Sequence, residues 1–128
     1  MDIKTSFTRA HLENRLWLNE LEFYREEIII FRNHLEKSIA RNTSLQLSGK
    51  ADLFLNQFTR MEDKITILKN ELQRAENKMS MYAQTEGNTD LDTVDIGDHE
   101  KFKFTFESFQ KDYQNLKDDF RNFEAGEV

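Results

Sequence analysis

Residues 47–82 read LSGKADLFLNQFTRMEDKITILKNELQRAENKMSMY. Their apolar positions fall at Leu47, Ala51, Phe54, Phe58, Met61, Ile65, Leu68, Leu72, Ala75, Met79 and Tyr82. After an opening step of four, the steps alternate three and four. That rhythm keeps one seam of a helix turned toward its neighbours over many turns. A strand would alternate every second residue instead.

The same rhythm continues on either side. Upstream it runs through Trp17, Leu21, Tyr24, Ile28, Phe31 and Leu35. Downstream it runs through Phe102, Phe106, Phe109, Tyr113, Leu116, Phe120 and Phe123. These seams predict helices over about 7–41, 48–84 and 99–123. Thr5 or Ser6 suits the first N-cap, and Thr43 with Gln46 suits a capping box ahead of the second helix. Residues 85–98 read as an acidic loop, with Gly87-Asn88 as a helix stop and Asp98 as the next N-cap. Short connections make sequential helices antiparallel. The expectation is a single all-α domain over 1–128, an up-down-up antiparallel three-helix bundle with long coiled-coil-like helices. In architecture, with Trp17 in its first helix, this layout resembles spectrin-type three-helix domains, and no longer motif extends that resemblance.

Composition agrees with long helices and narrow seams. The 128 residues include no Pro, no Cys and only 4 Gly, and 33% are charged. Without Pro the strongest helix breaker is missing. Without Cys, thiolate zinc sites, disulfides and thiol nucleophiles are excluded. No stretch reaches the ~18 apolar residues of a membrane span, and Met1-Asp2-Ile3-Lys4 does not open a signal peptide. A cytoplasmic location is expected. The net charge is −6. Glu86, Asp90, Asp92, Asp95, Asp98 and Glu100 account for all of it, so the rest of the chain is neutral. A neutral surface of mixed signs does not suit nucleic acid, which needs a basic patch.

Two surfaces carry more apolar residues than the seams require. A third helix over 99–123 falls ~15 Å short of its neighbours at 1.5 Å per residue. The hairpin tip over about 34–58 then projects with Leu35, Ile39, Leu53, Phe54 and Leu55 uncovered. On the first helix, Leu16, Phe23 and Ile30 recur every seven residues well away from the seam, with Leu12 and Ile29 nearby. Phe104 sits opposite the seam of the third helix.

Chemical motifs are sparse. There is no Gly-rich phosphate loop, no Ser-centred elbow and no Glu-x-x-His pair of the di-iron bundles. The acidic loop lacks the glycine and the twelfth-position Glu of an EF-hand. His11 and His99 should meet at one end of the bundle, where a carboxylate would complete a metal site. The expected function is therefore non-enzymatic: a protein–protein interaction or scaffold module without a cofactor. Its partner would be another protein or a second copy, as in a homodimer, docking on the tip or on the Leu16/Phe23/Ile30 face. A metal-binding bundle using His11 and His99 is the alternative.

Overall fold

A computed structural model of the chain describes residues 3–41, 45–83 and 91–126, with side chains over 7–41, 49–81 and 98–126. Three helices make up the fold: α1 (Ile3–Arg41), α2 (Leu45–Ala83) and α3 (Leu91–Glu124). Among the described side chains, each seam read from the sequence faces the common core. Trp17, Leu21, Ile28 and Leu35 come from α1, and Ala51, Phe58, Ile65, Leu68 and Leu72 from α2. Phe106, Phe109, Tyr113, Leu116 and Phe120 come from α3. Among the described residues, no helix is long and apolar enough to cross a membrane.

Cross-helix contacts give the chain directions. Ascending α1, His11 meets Glu76, Glu22 meets Lys69, Arg25 meets Thr66 and Arg32 meets Glu62. The α2 partners descend, so these two helices run in opposite directions. The α3 partners ascend with α1: Glu13 with His99, Glu20 with Gln110, Glu27 with Lys117 and His34 with Glu124. Lys69 donates to Glu22 and holds its carboxyl below the usual range.

The expected acidic loop is shortened. Residues 91–98 belong to α3, which begins eight residues before His99. An acidic opening suits a helix as well as it suits a linker, because the positive end of the helix dipole favours negative charge. Residues 85–90 lie outside the described residues. The longer α3 has 34 residues against 39 for each neighbour, a difference of 5. It falls short by only ~7.5 Å at 1.5 Å per residue.

The added residues lie at the start of α3; its end, with Glu124 beside His34, packs against the far end of the bundle. The ring of Phe123 reaches Phe54 at 5.1 Å, and Phe120 meets Phe31, Phe54 and Phe58 at 5.0, 5.6 and 5.2 Å. Aromatic pairs at such separations add to the burial of their area. Beyond them, Leu35 and Ala51 are still sealed in the core, 1% and 2% exposed.

Gly49 lies inside α2 rather than at its start. A Cβ placed on it would meet nothing within 4 Å. Gly in a helix costs about 0.5–1 kcal/mol relative to Ala, through backbone entropy. Gly49→Ala should therefore raise stability by about that amount, read as a higher midpoint in urea with an unchanged slope.

Halfway along α3, the Tyr113 hydroxyl donates to Glu27 Oε1 at 2.8 Å, and Lys117 donates to the other carboxylate oxygen at 2.7 Å. Burial, then the hydrogen bond to Glu27 and its charge, push the Tyr113 hydroxyl well above its ordinary range. Burial also raises Tyr24, which accepts from Gln110 at 3.1 Å. Below pH ~10 both folded and unfolded chains keep these protons, so stability does not depend on them. Above that pH the unfolded chain releases them while the folded chain still holds the Tyr113 proton, so stability falls by about 1.4 kcal/mol per pH unit for that tyrosine, and Tyr24 contributes in the same direction. Tyr113→Phe should flatten the decline in denaturation midpoint above pH ~10, while costing about 1 kcal/mol at neutral pH for the lost hydrogen bond.

Candidate functional site

The core face of α1 is occupied by Ala10, Asn14, Trp17, Leu21, Ile28 and Leu35, all buried. Glu13, Glu20 and Glu27 flank that face, seven residues apart, and take donors from α3. Past this column, at 100° per residue, the helix turns its outer side to solvent. There stand Leu12, Leu16, Phe23 and Ile30, with 57%, 60%, 55% and 55% of their surfaces exposed. Phe23 touches a neighbouring ring only edgewise, at Tyr24 6.2 Å away. The sequence expectation for Leu16, Phe23 and Ile30 thus coincides with their position. Leu12 joins them one turn earlier.

Asn19 lies in line with these residues, and Arg15, Glu26 and Asn33 border them; all four are exposed. The stripe from Leu12 to Ile30 covers 18 residue steps, ~27 Å of helix. Four large side chains at such exposure present roughly 400 Å² of apolar surface, at the level where a contiguous patch marks an interaction site.

The hairpin tip does not supply such a surface. Leu35 is sealed in the core, which corrects its expected role as a docking residue. Ile39, Phe54 and Leu55 are half-buried and pack against the core. Phe54 in particular sits among Phe58, Phe120 and Phe123. The last turns of α3 place Phe120 and Phe123 against Phe54, and Leu35 and Ala51 belong to the same buried core. Leu53 alone of the expected tip residues is exposed, at 64%. The side chains of Leu45 and Leu47 lie outside the described residues.

At the opposite end, His11 and His99 take different partners. His11 Nδ1 lies 2.8 Å from Glu76 Oε1, and His99 Nε2 lies 3.0 Å from Glu13 Oε1. Between them, buried Asn14 donates to Glu76 Oε2 at 3.2 Å and approaches Met79 Sδ at 3.6 Å. Each imidazole has its own carboxylate on another helix. Among the described residues, no group of three or more His, Cys, Asp or Glu side chains could hold a metal ion. A cleft of about 250 Å³ opens beside this cluster between α2 and α3, with Asn14, Met79, His99 and Phe102 on its walls. A second, of about 280 Å³, adjoins it at Glu71 and has Ile67, 57% exposed, in its wall. Phe104 faces solvent at 75% exposure, as expected opposite the α3 seam.

Sequence reading did not find the glutamate column. Its signal was present: Glu13, Glu20 and Glu27 are seven apart, as are Gln110, Lys117 and Glu124 on α3. Matched heptad spacing of polar residues beside two seams is the mark of cross-helix pairing.

His99 also stacks on Trp17, ring centroids 4.9 Å apart and planes 24° from parallel. Trp17 is the single tryptophan of the chain. The stacked ring shields one face of the indole from solvent. His99→Gln removes that ring and should shift the tryptophan emission maximum to longer wavelength with helicity unchanged.

Comparison of the chain with protein-family models, with curated proteins and with solved structures finds no significant match.

Proposed function

We propose that this protein acts by non-enzymatic docking to another protein, as an interaction or scaffold module. Its working surface is the outer side of α1. The observation that carries this reading is the line of Leu12, Leu16, Phe23 and Ile30, each more than half exposed on one continuous helix. None of the four belongs to the buried core cluster, so folding alone does not account for them. A helix that lays apolar anchors along ~27 Å of its length fits a partner helix or a hydrophobic groove. The anchors sit on a rigid element held by two neighbours, so docking requires little ordering of the backbone. A chain without cysteines and without a membrane-crossing helix among its described residues fits a cytoplasmic setting, and that is the setting we propose.

The metal-binding alternative gains nothing from the geometry. His11 and His99 are turned to Glu76 and Glu13 rather than to each other.

The test separates surface from core. The pair Leu16→Asp with Phe23→Asp should leave far-UV circular dichroism unchanged and move the melting temperature by less than about 4 °C, equivalent to under about 1 kcal/mol. Phe54→Asp, which puts a charge among packed rings, should destabilise by several kcal/mol, about 3 or more. A photoreactive p-benzoylphenylalanine in place of Phe23 should form a protein adduct in lysate of the source cells. The adduct should vanish when Ile30→Asp is added. Loss of the fold in the Leu16/Phe23 variant, or no adduct of any kind, would overturn the reading.

A further inference from the structure

We infer that the outer face of α1 pairs with the same face of a second copy of this chain, with the two α1 helices antiparallel. The inference rests on the docking reading above and names its partner.

The stripe carries a heptad of its own. Leu12, Leu16, Asn19, Phe23, Glu26, Ile30 and Asn33 follow one another in steps of four and three. One of the two seam positions is apolar, at Leu16, Phe23 and Ile30. The other is polar in its later turns, at Asn19, Glu26 and Asn33. A parallel pair in register would stack like on like. Asn19 would face Asn19, and Glu26 would face Glu26, two negative charges with no cation between them.

The antiparallel pair avoids this, because the two seam positions then alternate across the interface. With a two-fold axis crossing α1 near Leu21, Leu12 meets Ile30 of the second copy. Leu16 comes opposite the second copy's Glu26, and Phe23 comes opposite its Asn19. Every layer from Leu12 to Ile30 then receives at least one apolar side chain, and none holds two polar ones. An isologous contact of this kind closes after two copies.

Charge supports the same arrangement. Arg15 lies on the flank of the stripe, and the pairing sets it beside Glu26 of the second copy, twice by symmetry. Both are exposed, and no ion pair engages either one among the described residues. On the other flank the copies bring their acidic columns together. Those carboxylates are already held: Glu13 by His99, Glu20 by Gln110 and Glu27 by Tyr113 and Lys117.

Area sets the strength. Roughly 400 Å² of apolar surface per copy is about half of what a standard interface buries on each side. The stems of Arg15, Asn19, Glu26 and Asn33 add the rim. The expected result is a reversible dimer with a dissociation constant in the micromolar range, of order 10 µM.

Sedimentation equilibrium up to about 500 µM tests this directly, since a micromolar dimer is well populated there. Wild type should dimerise, and Phe23→Asp should weaken association by about 100-fold or more with helicity unchanged. Arg15→Glu and Glu26→Arg should each weaken it by about 3- to 10-fold, and the double reversal should restore it to within about threefold. A wild-type monomer, a dimer indifferent to Phe23→Asp, or a double reversal that restores nothing would each overturn the inference. A monomer would leave the docking reading to the photo-cross-link at position 23, which traps any partner and separates the two failures.

Discussion

Register between long helices is the constraint on which this bundle depends. An apolar 3–4 seam attracts another seam but does not say which heptad meets which, since a slip of seven residues still matches apolar to apolar. The glutamates of α1 remove that freedom. Glu13, Glu20 and Glu27 each accept from a different donor on α3, and a slip of one heptad would part His99 from Glu13 and Tyr113 and Lys117 from Glu27, and in one direction would set Glu27 opposite Glu124. On the other side of α1, Glu76, Lys69, Thr66 and Glu62 of α2 set its register against His11, Glu22, Arg25 and Arg32. Each of these pairings has one end on α1. It is the strut against which the other two helices are positioned, and α2 and α3 meet mainly through apolar side chains.

The energetic division follows from burial. Half-exposed ion pairs such as Glu22 with Lys69 contribute little to stability. The buried rings and aliphatic chains of the core supply the driving force. The polar pairs select one arrangement among many of similar apolar content. The more sheltered ones do so most strongly, because a carboxylate left without its donors in a partly buried site is costly. Glu27, shared by the Tyr113 hydroxyl and the Lys117 ammonium, is the best example.

Much of the fold was legible in the sequence, because hydrophobic period alone determines helix type and inward face. The seam positions from Trp17 to Phe120 were readable on that basis. The start of α3 was not. An acidic segment with glycines satisfies a linker by solvation and a helix by its dipole, and local sequence does not choose between them. The burial of Leu35 and Phe54 was not legible either, because it depends on how closely the three helices pack at the far end, where Phe120 and Phe123 close on Phe54. The α1 stripe was legible because Leu16, Phe23 and Ile30 lie too far round the helix to join the core. The partnering of His11 and His99 was not, since it depends on which carboxylate of a neighbouring helix comes within reach after packing.

The absence of proline has a temporal consequence as well as a structural one. It lets α1 and α2 run for 39 residues each. It also leaves the unfolded chain without a single imide bond, and so without the slow isomers that hold back part of most unfolded populations for tens of seconds. Helices of this kind, closed mainly by local contacts, assemble quickly. After each opening, every molecule of this chain starts back from one conformational pool, and the outer side of α1 is presented again without delay.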